Sequence, residues 1–193
     1  MDRTEYESFA GPTKRRAREL SLTIREYSDA LAATFRDINL EWIGAMYSVE
    51  ETDRDVLDYP RERIVEPGGA ILFVEAEDRG VIGTCALQKT GDHRFELTKM
   101  GVLESARGLK AGEFLLRAVI ARAHELGADL LYLLSNKRSA AAIHLYEKVG
   151  FRHDEAIMRD FGIRYERCDV AMRYLPQQRR PSGDSEAPQD QGR

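Results

Sequence analysis

Only two cysteines, Cys85 and Cys168, occur among the 193 residues. They form no CxxC pair and no other metal-ligand spacing, and one pair is no disulfide framework, so a disulfide-stapled secreted domain is excluded and a reducing cytoplasmic setting is expected. The four histidines, His93, His124, His144 and His153, are equally scattered, and no metal site is expected. No apolar run reaches the about 18 residues of a membrane-spanning helix. The opening MDRTEYESFA lacks the apolar segment of a secretory signal, so neither a membrane partner nor export is expected. Charge of one sign is also scarce: 29 Lys and Arg stand against 33 Asp and Glu, a net charge of −4. Such a chain is not built to coat a polyanion, and no nucleic-acid partner is expected. The one basic cluster, Lys14 to Arg18, reads as a nucleic-acid arm or as a solvated leader or short helix, and the flanking Glu5, Glu7 and Glu19 favour the latter. Neither GxxxxGK[ST] nor GxGxxG is present, which removes a triphosphatase loop and a dinucleotide-binding fold.

What is present is enough apolar side chain, 42%, for one core. The ends differ from the middle. Residues 1–20 are a charged leader, and residues 176–193, rich in Pro, Gln, Ser and Gly, have the composition of a disordered tail. The folded domain is expected over 21–175, about 155 residues. Within it strand and helix periods alternate. Leu22–Glu26 alternates like a short strand. Ser28 is placed to cap a helix whose stripe is Leu31, Phe35, Ile38, Trp42, Ile43 and Met46. The polar stretch 50–65 has one helical part and a break at Pro60. Ala70–Glu75, a turn at Asp78-Arg79-Gly80, and Val81–Leu87 read as a hairpin, and Gly91-Asp92-His93 turns into a third strand, Phe95–Leu103. A loop, Ala106–Gly112, leads to a helix striped by Leu116, Val119, Ile120, Ala123 and Leu126 and stopped at Gly127. Leu130–Leu134 is a buried strand, Ser139–Val149 a second amphipathic helix ended by Gly150, the chain from Phe151 extended, and Cys168–Leu175 a last strand. The expected fold class is therefore α/β, of the α+β mixed type: one domain with a central, mostly antiparallel twisted sheet flanked by helices.

The junction from Phe95 to Leu126 carries the most chemistry. A strand feeds the loop Arg107-Gly108-Leu109-Lys110-Ala111-Gly112, which feeds a helix. Unpaired N–H groups and the dipole of the first helical turn favour an anion, glycines allow close approach of backbone, and Arg107 and Lys110 add charge. The loop reads either as a phosphate or diphosphate cradle or as a plain strand-to-helix turn with exposed basic residues.

The blocks Phe95–Val102 and Arg107–Gly112, followed by Leu131–Asn136 and by Ala142-Ile143-His144-Leu145-Tyr146-Glu147-Lys148-Val149-Gly150-Phe151, resemble in order and spacing the acyl-CoA motifs of the GNAT superfamily of N-acetyltransferases. A softer similarity is Tyr165-x-Arg167-x-Asp169-x-x-Met172. One departure stands out: Lys110 occupies the position of the first glycine of the family's Arg/Gln-x-x-Gly-x-Gly/Ala loop. The resemblance implies acetyl-CoA as co-substrate and direct transfer of acetyl to a primary amine of a small molecule or protein in a ternary complex. Its alternative on the same fold is a catalytically weak CoA-binding sensor, the reading that Lys110 favours. By analogy it also implies a homodimer through late strands.

Residue by residue, the resemblance implies that Arg107, Gly108, Leu109, Lys110, Ala111 and Gly112 hold the diphosphate. The backbone of Met100, Gly101 and Val102 would pair with the pantetheine arm and offer an N–H to the thioester oxygen. Asn136 would contact pantetheine or orient the tyrosine, although it also reads as a turn residue. Tyr146 would be the general acid, its phenol protonated at neutral pH, or else a half-buried core tyrosine. Glu96 is the candidate base, or an ordinary salt-bridged strand glutamate. Period-2 alternation puts Glu96, Thr98 and Met100 on one face. Trp42 reads as core or as a wall of the acceptor site. The amine acceptor is not identified by the sequence, and the acidic remainder of the chain suits a cationic amine.

Overall fold

The computed structural model describes residues 21–164 and 168–176. The leader, Tyr165, Arg167 and the tail from residue 177 lie outside the described residues. The strand Ala70–Ala76 (β2) is buried on both faces, and its side chains divide by parity. Ile71 and Phe73 enter one apolar cluster, while Ala70, Leu72, Val74 and Ala76 enter another. A sheet with both faces covered follows directly. β2 pairs antiparallel with Leu22–Glu26 (β1) and with Gly80–Gly91 (β3), and β3 pairs antiparallel with Arg94–Val102 (β4). The chain then crosses through the helix Ala111–Glu125 and returns as Leu130–Ser135 (β5), parallel to β4. Phe151–His153 (β6) and Val170–Tyr174 (β7) complete seven strands in the order β1-β2-β3-β4-β5-β7-β6. Every pairing is antiparallel except β4 with β5.

Two helices, Ala32–Met46 (α1) and Glu51–Asp58 (α2), cover one face. Phe35, Ile43, Leu57 and Ile64 pack there on Ile71, Phe73 and Ala86. Each such side chain stabilises by about 1.5–3 kcal/mol on burial. The crossover helix Ala111–Glu125 (α3) and the helix Ala140–Val149 (α4) cover the other face, with Leu115, Leu116 and Val119 against Leu72, Val74, Leu87, Phe95 and Leu97. Ser28 supplies no side-chain cap. It opens a 3-10 turn, Asp29–Leu31, that leads into α1. After α2, Pro60 is followed by a wide π-type turn, Arg61–Val65.

The expectation of extended chain after Phe151 needs correction. β6 stops at His153, and a helix, Glu155–Phe161 (α5), follows, started by Asp154, whose side chain accepts from the N–H groups of Ala156 and Ile157. α5 buries Ile157 against Tyr132 and Ala171, and Phe161 stacks on Tyr132 with ring centroids 4.5 Å apart.

Candidate active site

The site begins with an irregularity in β4. Thr84 faces Gly101 and Ala86 faces Thr98, so Cys85 stands opposite two residues, Lys99 and Met100. This is a β-bulge, and Lys99 carries it at φ +50°. The bulge overturns the expected alternation. Glu96 and Thr98 keep one parity, but Met100 and Val102 pack with Phe95 and Leu97 against the α3 cluster. Gly101 then turns to α1: a Cβ there would meet Trp42 Cδ1 at 2.5 Å, so only glycine lets the indole lie against the strand. Beyond the pair Leu97↔Leu133, β4 and β5 no longer pair. Their separation opens a cleft of about 320 Å³ between the Thr98–Val102 edge, the end of β5 at Asn136, and the start of α4.

Leu109 leads from β4's loop to Lys110, the N-cap of α3, which holds φ +58° with no side-chain cap on the helix. Lys110 thus reproduces with a side chain the left-handed backbone that a glycine would supply, and it points into solvent. Gly108, at φ +84°, provides the second such bend. Arg107 is exposed and donates to Glu104 Oε1 at 2.9 Å. Ala111 is buried, while Gly112 packs near Leu145 of α4. Uncapped N–H groups at this helix start and two nearby cations suit a diphosphate. The helix is braced by Glu113, which accepts from Lys148 of α4 and from Arg117 and whose carboxyl is thereby held below its ordinary value.

Tyr146 lines the cleft from α4 and is 8% exposed. Burial first, and then the neighbouring Cys85, push its phenol above its ordinary pKa, so it stays a proton donor throughout the neutral range. Cys85 is fully buried, and burial raises its thiol. Asn136 lines the cleft, and its Oδ1 accepts from the N–H of Arg138 at 2.9 Å, so it also shapes the turn. Glu96 is 1% exposed and opposite Tyr132, behind the cleft wall. Its charge contributes to raising the Cys168 thiol, after burial, the largest cause, and other groups. Met100, Gly101, Val102, Asn136 and Tyr146 thus converge on one cleft, while Glu96 sits behind it.

Several contacts that shape the cleft join residues whose pairing the sequence did not announce. Lys99 Nζ donates to Asp53 Oδ1 of α2 at 2.9 Å, both buried, across 46 positions. Asp53 Oδ2 also accepts from Glu50 N in the capping box of α2. Trp42 Nε1 donates to Asn39 Oδ1 at 2.9 Å, which fixes the indole. Tyr47 Oη and Ser139 Oγ are 3.1 Å apart, linking α1 to α4. Among the described residues no group of three or more His, Cys, Asp or Glu is arranged for a metal. None of their helices is long and apolar enough to cross a membrane.

A mixed sheet splayed after one parallel pair, beside an uncapped helix start, defines an acyltransferase-like architecture. Residues 32–151 match the family model "Acetyltransferase (GNAT) family", and the chain belongs to that family. It is 33% identical over 120 residues to the uncharacterized N-acetyltransferase YvbK of Bacillus subtilis, covering 62% of this chain and 73% of the relative. A GNAT-family acetyltransferase structure from Staphylococcus aureus superposes with a TM-score of 0.71 at 21% identity, over 80% of this chain and 98% of that one. A Salmonella typhimurium structure described with its cofactor acetyl-CoA gives a TM-score of 0.63 at 19% identity, over 85% and 98%.

Proposed function

We propose that the protein is an acetyl-CoA-dependent N-acetyltransferase that moves acetyl to a primary amine by direct transfer in a ternary complex. The observation that carries this reading is the open β4 edge, Thr98 to Val102, with Tyr146 across the cleft and the uncapped start of α3 a few residues further along the chain. These residues fit acetyl-CoA, which when bound supplies an activated thioester. Arg107 and the backbone from Gly108 to Gly112 bind its diphosphate. The backbone of Met100, Gly101 and Val102 pairs with the extended arm, and an N–H of this edge faces the carbonyl oxygen where charge develops. Asn136 orients the far wall. Tyr146 holds its proton on the phenol oxygen and gives it to the departing sulfur. Glu96 takes the amine proton through an intervening water, since its burial keeps it from the cleft surface.

The second reading is a CoA-binding sensor, suggested by Lys110. The left-handed Lys110 backbone supports the enzyme instead, because the loop shape is kept and the side chain is exposed. The reading includes a cytoplasmic setting and a homodimer through the late strands. The test is release of free CoA thiol from acetyl-CoA over a panel of amino acids, polyamines, antibiotics and peptides, with the N-acetyl product identified by mass. Amine-dependent release is expected. Tight CoA binding with no turnover across the panel would favour the sensor.

A further inference from the structure

One end of the cleft is formed by Trp42 and Met46 of α1, by Tyr47 just after it, and by Arg138 and Ser139 just before α4. Its charges are unlike those of the chain. The net charge is −4, yet among the described residues the charged side chains that line the cleft are Lys99 and Arg138, both cations. Lys99 is matched by buried Asp53. Arg138 makes no ion pair with any described residue. Its guanidinium lies 5.6 Å over the ring of Tyr47, which itself reaches Ser139. The turn beneath it is pinned: Asn136 Oδ1 accepts from Arg138 N, and Asp169 Oδ1 accepts from Lys137 N at 2.7 Å. The cation is therefore presented from a fixed backbone beside an aromatic wall.

An ammonium brought here without an anion meets a like charge and finds no lining carboxylate among the described residues. A carboxylate meets a planar, unpaired guanidinium suited to two parallel hydrogen bonds. The same positive charge lowers the pKa of a nearby amine and favours its neutral, attacking form. We propose that the acceptor is an amine that carries its own carboxylate and an apolar or aromatic body, with Arg138 seating the carboxylate and Trp42 and Met46 covering the body. This rests on the acetyltransferase reading and names its substrate class. It is the opposite of what the acidic net charge suggests.

The test compares acceptors that differ only in the carboxylate: phenylalanine with phenethylamine and tryptophan with tryptamine, with spermidine as a polycation. In the wild type the carboxylate-bearing member of each pair is expected to have the higher kcat/KM by about tenfold or more. In Arg138→Gln, checked for native circular dichroism, the ratio should fall to about one through KM, and Arg138→Lys should restore part of it. A wild-type preference for the decarboxylated amines or for spermidine, or a ratio unchanged in Arg138→Gln, overturns the proposal. Equilibrium binding of the same pairs with CoA present separates this from the parent reading. Arg138-dependent binding of the carboxylates without thiol release keeps the seat and removes the acetyltransferase. Thiol release from amines regardless of Arg138 keeps the acetyltransferase and removes the seat. Absence of both binding and turnover of the carboxylates also removes the seat.

Discussion

Two lysines, Lys99 and Lys110, sit in the left-handed region at φ +50° and +58°, and replacing each by glycine should move stability in opposite directions. A residue with a Cβ pays about 1–2 kcal/mol in this conformation, whereas glycine returns about 0.5–1 kcal/mol through its freer unfolded chain. At Lys110 nothing else changes: the side chain is exposed and caps nothing. Lys110→Gly should therefore stabilise by about 0.5–1 kcal/mol. At Lys99 the same relief competes with a buried ion pair, Nζ to Asp53 Oδ1 at 2.9 Å, with side chains 4% and 0% exposed. Removing one partner of such a pair costs about 3–5 kcal/mol, because the remaining charge stays buried. Lys99→Gly should destabilise by about 2–4 kcal/mol net. Urea unfolding measures both, with m-values near wild type showing that compactness is unchanged. A Lys99→Met, Asp53→Leu double variant should recover much of the loss, since no lone charge then remains, although the α2 capping box is gone. Equal effects of glycine at the two sites would refute the reasoning, as would a stabilised Lys99→Gly.

Three further outcomes test the site. Tyr146→Phe should lower kcat by about a hundredfold with CoA affinity nearly unchanged. Because burial and Cys85 raise the phenol from 10.0, its proton is fully held below that value, and no basic limb below about pH 10 should belong to it; a limb near pH 8 that disappears in the phenylalanine variant would contradict this. Glu96→Gln should abolish the acidic limb of the pH–rate profile, and retention of that limb would remove Glu96 as the base. Gly101→Ala places a methyl 2.5 Å from Trp42 Cδ1 and should destabilise by about 1–3 kcal/mol while raising the KM for the acceptor more than that for CoA. The chain has one tryptophan, so a shift in intrinsic fluorescence reports the displaced indole directly, and unchanged emission would mean that it does not rest on the strand.

The parts legible in the sequence are those in which a local pattern dictates local backbone. Strand alternation and the α3 stripe placed the sheet and its crossover to within a few residues, because burial on two faces acts on neighbours along the chain. The helix start after the Arg107–Gly112 loop followed from the same local pattern, whereas Tyr146 was singled out only by the family resemblance; the structure places it on the cleft. The bulge was not. Nothing in Glu96-Leu97-Thr98-Lys99-Met100 announces a left-handed residue, since the usual signal, a glycine, is absent, and extrapolating period 2 through Lys99 assigned Met100 to the wrong face. α5 was missed because its short apolar face, Ile157 and Phe161, becomes meaningful only once Tyr132 is its partner. Asp53 is one acid among many in the polar stretch 50–65 and Arg138 one cation in a turn; their contacts come from β4, 46 positions away, in one case and from Tyr47, the residue that ends α1, in the other. The division follows function. Holding a diphosphate and an extended arm needs mostly backbone geometry, which recurs as a contiguous motif. In the proposed reading, choosing an acceptor draws on side chains brought together from α1, α2, β4 and the turn before α4. Net charge averages over the chain and discards this arrangement, which is why it pointed to a cationic amine while the charged side chains that line the cleft among the described residues, Lys99 and Arg138, are cations.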